Sequence, residues 1–180
     1  MILTDEAALR VKCSDVLPDE ISSIREALEQ ALKHSADLGA PGLGLAAPQI
    51  GIPKRMAIVR VKDYSVDLVN CKIQKAFDKF VFEKEGCLSF PGRYEKTRRF
   101  QEVHVHENTV EPYAFIVRGL ISVVVQHEHN HFNQILLPDV AIISEVEKVN
   151  NKGKLRPNDP CFCGSGKKLK KCCKKDSRHT

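Results

Sequence analysis

The sequence predicts an α+β fold, with a helix bearing an H-E-x-x-H stretch behind the strands and a tiny module at the C-terminus. Three observations carry this. Ile21, Ile24, Leu28 and Leu32 fall at helical spacing. Short stretches between Met56 and Gly119 have strand character and turn-rich boundaries. From Arg118 to Phe132 helical spacing returns, and Leu120, Val123, Val124, His127 and His131 share one face.

A chain of 180 residues, 42% of them hydrophobic, holds one sizeable core and an appendage rather than two full domains. Its apolar stretches are far shorter than the roughly 18 residues of a membrane span. The opening "MILTDEAALR" has no basic region followed by an apolar run. A cytoplasmic protein without a membrane span is the expectation. Charge divides unevenly: residues 1–147 hold 17 Lys and Arg against 21 Asp and Glu, a net −4, whereas residues 148–180 hold 11 against 2, a net +9. A basic tail on an acidic body suits a polyanion such as RNA, or serves as a solubilising terminus. Four of the seven cysteines crowd into "CFCGSGKKLKKCC", which favours metal ligation over disulfides where no export signal is present.

Taken in order, "DEISSIREALEQALKHSADLGA" is an amphipathic helix started by Pro18 and Asp19. "GAPGLGLAAPQIG" is a turn leading into an extended segment of small residues. "MAIVRV" and "DLVN" are strands, and "KFVFEKEGCLSFPG" is a strand running into a turn at Pro91-Gly92. "EVHVHE" alternates as a strand, "YAFIVRG" holds another or leads into the next helix, and that helix ends near Phe132. "NNKGKLRPNDP" is a polar linker, giving a body over 1–147, a linker over 148–158 and a tail over 159–180.

His127-Glu128-x-x-His131 sets two imidazoles one turn apart, with a carboxylate beside any water on a shared metal ion. The alternative for this pattern alone is a solvated polar helix end. His129 points elsewhere. A third ligand is not evident downstream, where Glu145 and Glu147 follow Pro138 in no motif. Upstream, Cys87 in "EGCLS" offers a thiolate, a strong ligand for Zn²⁺ or Fe²⁺.

"GLGLAAPQ" (42–49), "EGCLS" (85–89) and "QHEHNH" (126–131), in that order, resemble the three motifs of the peptide deformylases. "ILTDEAALR" is similar to that family's N-terminal strand-turn, and "LVNCKI" to a segment in which Cys71 replaces a proline. The resemblance covers about residues 1–140 and implies a peptide-deformylase-like arrangement of antiparallel strands around a central H-E-x-x-H helix, with a metal held by Cys87, His127 and His131. That metal is usually Fe²⁺ in the family, with zinc, nickel or cobalt as substitutes. It further implies Glu128 as proton carrier, and Gln49 with the backbone N–H of Leu88 as donors to the oxygen of an attacked formyl group. Losing one such donor typically costs roughly 3–4 kcal/mol. The substrate implied is the N-formylmethionyl end of a nascent peptide. Leu43, Gly44, Gly86, Leu120, Val123 and Val124 would border the substrate, the glycines letting a peptide lie along the segment as an added strand.

Besides Cys71, the chain departs from the family pattern at three places. Asn130 stands where an Asp is usual, opposite Arg99. Gln134 stands where a Gly ends the helix, so a cost is expected there. Glu83 stands where relatives place an apolar pocket wall. His104 and His106 face one side of their strand and read as surface residues, a second metal pair being the other possibility.

Cys161, Cys163, Cys172 and Cys173 form two close pairs suited to a tetrahedral structural Zn²⁺ site. Binding worth roughly 10–16 kcal/mol would supply the folding energy of so small a module. "RPNDPCFCGSGKKLKKCC" resembles the SEC-C motif. That implies docking to a protein partner or, through Lys167, Lys168, Lys170, Lys171, Lys174 and Lys175, to the ribosome and its rRNA. Two competing readings are an H-E-x-x-H metallopeptidase and a catalytically weak ribosome-associated adaptor on a deformylase scaffold.

Overall fold

The computed structural model describes residues 1–106 and 114–142, together with Asn158 and Lys168. Residues 148–157 of the linker and the four tail cysteines lie outside the described residues. The chain divides into two units, Met1–Ile142 and Ile143–Thr180, and the elements below belong to the first. Among the described residues no helix is long and apolar enough to cross a membrane.

The chain opens with a one-turn helix α1 (Glu6–Leu9), where a strand-turn was expected from the resemblance. The reason is local: the Asp5 carboxylate accepts from the Ala7 N–H at 2.8 Å, an N-cap that starts a helix instead. Helix α2 (Ile21–Asp37) follows a 3₁₀ turn at Pro18–Glu20 and buries Ile24, Leu28 and Leu32. It ends at Gly39, whose φ of 84° closes the last turn as only glycine does cheaply.

The small-residue segment is extended only across β1 (Gly44–Ala46), then turns sharply through a 3₁₀ turn at Ala47–Ile50. Strands β2 (Met56–Val61) and β3 (Tyr64–Val69) complete an antiparallel sheet in the order β1-β2-β3. A second antiparallel sheet contains β4 (Lys72–Gly86), β5 (Tyr94–His106) and β6 (Ala114–Arg118), in that order. The turn between β4 and β5 is a type II turn, with Pro91 then Gly92 at φ 75° and the Arg93 N–H donating to Phe90 O at 3.1 Å.

Helix α3 (Gly119–Phe132) carries the H-E-x-x-H stretch, and one-turn helix α4 (Leu137–Val140) follows it. Ala141 then bridges antiparallel to Thr97 on β5.

Strand β2 explains why "MAIVRV" reads as nearly unbroken apolar residues. Ala57, Val59 and Val61 join Val103, Val105, Val117, Val124, Val125 and Phe132 in one core, between the second sheet and α3. Met56 and Ile58 join Ile24, Leu28, Leu32 and Leu45 in another, under α2. A strand buried on both faces has no polar set to alternate with.

Candidate metal centre and active site

Gln126 fixes the helix that carries the histidines. Its Nε2 donates to Phe100 O at 2.9 Å and its Oε1 accepts from Phe100 N at 3.0 Å, pinning α3 to both backbone groups of one β5 residue. Ser122 Oγ adds a bond to the same carbonyl at 2.8 Å. His127 and His131, one turn further on, then face the turn after β4, which carries Cys87.

The ligand atoms of Cys87, His127 and His131 all lie within 4.8 Å of one another, and among the described residues they are the one such group. Cys87 Sγ stands 3.6 Å from His131 Nε2. Metal bonds of about 2.3 Å to sulfur and 2.0–2.1 Å to nitrogen at the tetrahedral angle place the two donors about 3.6 Å apart. His127 Nδ1 donates to Glu85 Oε1 at 2.7 Å, which leaves Nε2 for the centre. The donors therefore fit a transition-metal ion with room for one more ligand.

Glu85 was not assigned a role from the sequence, yet it organises this corner. Besides His127, its carboxylate accepts from Thr97 Oγ1 at 2.6 Å and from Arg99 Nε and Nη2 at 2.7 and 2.5 Å. Burial works to raise its pKa, but the Arg99 and His127 bonds prevail and hold it at about 2. Asn130, in the orientation that satisfies both its groups, accepts from Arg99 Nη1 at 2.9 Å and donates to Gln126 O at 3.3 Å. The expected Arg99 contact is thus present, as a bond to a neutral group.

Glu128 lies 3% exposed. Burial, reinforced by the Glu85 charge and opposed by His127, pushes its carboxyl up to about 7, and its Oε2 has no hydrogen-bond partner among the described residues. It rests against β1, since a Cβ added at Gly44 would come 2.7 Å from Glu128 Oε1 and 3.0 Å from the Ile58 carbonyl oxygen. Gly44 is therefore required by close approach. Gln49, 2% exposed, is oriented from both ends. Its Oε1 accepts from Ala46 N at 2.9 Å, and its Nε2 lies 3.1 Å from Ser89 Oγ and 3.5 Å from Cys87 Sγ.

A cleft of about 570 Å³ opens over these groups. Leu43, Gly44, Gly86, Leu88, Leu120, Val123 and Val124 line it with Gln49, Cys87, His127 and Glu128, so every substrate-binding and catalytic position expected from the sequence borders one space. Glu83 does not line it. That side chain is 67% exposed and pairs with Lys96 at 2.7 Å, while Phe82 faces the cleft instead. His129 stands apart from the three donors: its ring meets Phe132 edge-on, and burial, with the Arg55 charge, lowers its pKa to about 4. His104 bonds Glu102 at 2.7 Å and packs on Phe77.

A cysteine sulfur and two imidazoles around one point, next to a buried carboxyl group at a cleft, define the class of metal-dependent hydrolases. A family model described as polypeptide deformylase matches residues 1–147, and one for the SEC-C motif matches residues 158–175. The chain belongs to the polypeptide deformylase family. It is 37% identical over 118 residues to peptide deformylase 1 of Pseudomonas syringae pv. tomato, covering 63% of this chain and 70% of that one. It is 33% identical over 144 residues to a peptide deformylase of Hydrogenovibrio crunogenus, covering 77% and 83%. Among solved structures, the peptide deformylase of Synechococcus elongatus superposes with a TM-score of 0.70 at 30% identity, covering 85% of each chain. That of Thermotoga maritima gives 0.70 at 26% identity, covering 79% of this chain and 97% of its own.

Proposed function

We propose that this enzyme uses Glu128 as proton carrier beside a metal held by Cys87, His127 and His131 to remove the N-formyl group from the initiator methionine of nascent polypeptides. The observation that carries the reading is that Glu128 Oε2, without a hydrogen-bond partner among the described residues, stands beside the three donors at a cleft that Cys87, His127 and Glu128 line. Fe²⁺ is the ion proposed there, with zinc, nickel or cobalt able to occupy the same donors. When bound, such an ion supplies Lewis acidity and brings the pKa of water from about 15.7 towards 7.

The chain's own groups do the rest. Glu128 takes one proton from the attacking water and delivers it to the departing amine as the C–N bond breaks, leaving formate and a free N-terminus. The Gln49 amide and the Leu88 N–H donate to the formyl oxygen as it gains charge. Leu43, Leu120, Val123 and Val124 receive the methionine side chain, while Gly44 and Gly86 leave room for the peptide backbone.

The proposal extends to the organisation of the chain: a cytoplasmic enzyme with its catalytic part over 1–147, a linker over 148–158, and a tail over 159–180 holding Zn²⁺ through Cys161, Cys163, Cys172 and Cys173. The SEC-C match and the net charge of +9 over residues 148–180 support a ribosomal or rRNA partner, reached by electrostatic tethering.

Formate release from a formyl-Met peptide tests the central claim. Glu128→Ala is expected to abolish release while keeping the metal, and Cys87→Ala to lose both. Normal turnover by Glu128→Ala, or unchanged metal content in Cys87→Ala, refutes the respective assignment.

A further inference from the structure

The cleft continues from the apolar side chains around Val123 and Val124 to an exposed rim that includes Lys84, Arg93 and Tyr94. Most charges here are already matched. Arg93 pairs with Glu95 at 2.6 Å, Lys96 with Glu83 at 2.7 Å, and Arg99 with Glu85 at 2.5 Å. Lys84 differs: among the described residues no carboxylate lies within ion-pair distance of it. Its ammonium sits 4.6 Å from the centroid of the Tyr94 ring. That ring is held in turn by the bare backbone opposite it, because Gly86 and Tyr94 are register partners and a Cβ at Gly86 would lie 3.0 Å from Tyr94 Cε1. A cation on an aromatic face keeps its charge and its donors while losing part of its freedom. The rim therefore offers one positioned, unmatched positive charge.

A formylated peptide with its formyl group at the three metal donors and its methionine among Leu120, Val123 and Val124 can continue past Gly86, the register partner of Tyr94, and so outward over this rim. We infer that Lys84, seated on Tyr94, selects for an acidic side chain at the second or third residue of the formylated peptide. This inference rests on the deformylase reading above. A C-terminal carboxylate offers the same chemistry in short peptides, so the test uses amidated ones.

The comparison is kcat/KM for formyl-Met-Glu-Ala-amide and formyl-Met-Ala-Glu-amide against their Gln counterparts. The wild type is expected to favour Glu at one of the two positions by about 1.5- to 5-fold, the range of a solvent-exposed ion pair, chiefly through KM and less so at high salt. Lys84→Gln is expected to bring the ratio to about 1, Lys84→Arg to keep it, and Lys84→Glu to favour Lys-containing peptides instead. Equal use of Glu and Gln peptides at both positions by the wild type overturns the inference. So does a ratio that survives in Lys84→Gln, or a preference that appears only with a free C-terminal carboxylate. Equilibrium binding of the matching N-acetyl-Met peptides reads the same preference without turnover. If no peptide is deformylated yet acetylated Glu peptides still bind more tightly through Lys84, the catalytic reading fails and this one stands; equal binding of Glu and Gln peptides rejects it.

Discussion

Glu85 holds the His127 imidazole, an arginine and a threonine at once, and it does so 4% exposed. Removing the charge from such a buried group leaves Arg99 unmatched, a loss of about 3–5 kcal/mol where buried pairs are broken. It also frees the His127 ring to turn. Glu85→Gln is therefore expected to weaken metal binding by about 10- to 100-fold, as losses of ligand-orienting partners do, and to lower the melting temperature. Competition with a chelator and a thermal scan check both, and wild-type values in the two would show that Glu85 orients nothing. The donor group it supports was legible through three motifs in the order of a known family, since the H-E-x-x-H spacing alone also fits a solvated helix end. Glu85 was not. Two residues apart on a regular strand, Glu83 and Glu85 would share a face, yet one is exposed and the other buried. The register shift between Phe82 and Glu85 is what separates them, and no residue type announces it.

At the level of elements, the end of α3 shows what a sequence departure costs. Gln134 adopts φ 61°, and its N–H donates to His131 O at 3.3 Å while the Ile135 N–H reaches Asn130 O at 3.0 Å. The helix stops by the glycine-type arrangement without the glycine. Arg10 steadies the residue, donating to its carbonyl at 3.0 Å and to Asp139 at 2.7 and 2.9 Å. Since that carbonyl is backbone, Gln134→Gly keeps the bond and removes the strain. A gain of about 1 kcal/mol is expected, read as a melting temperature about 2–4 °C higher; an unchanged or lower value would mean that the Gln side chain compensates. The helices and the short strands of this unit are readable because their periodicity is strong. Strand β4 is not readable as one 15-residue element, since its largely exposed pattern mixes Lys, Gln and Asp among its apolar residues.

For the molecule as a whole, the described residues of both cores belong to the first unit. Deleting residues 148–180 is therefore expected to leave formate release from small peptides intact, to remove one of two metal equivalents, and to abolish salt-sensitive ribosome binding. Loss of small-peptide activity would show that the tail contributes to the body, and co-sedimentation indifferent to both truncation and salt would reject the tether. What joins the two cores is β2, and its double burial restricts that strand in a further way. The faces carry different volumes, Ala57, Val59 and Val61 towards the second sheet and α3, Met56 and Ile58 towards α2. A pairing error of one residue would exchange these sets, overfilling one interior and hollowing the other in the same step. On an ordinary half-buried strand polarity enforces register; here side-chain size does, and the strand that Gly44 and Ala46 pair with is held in place by it.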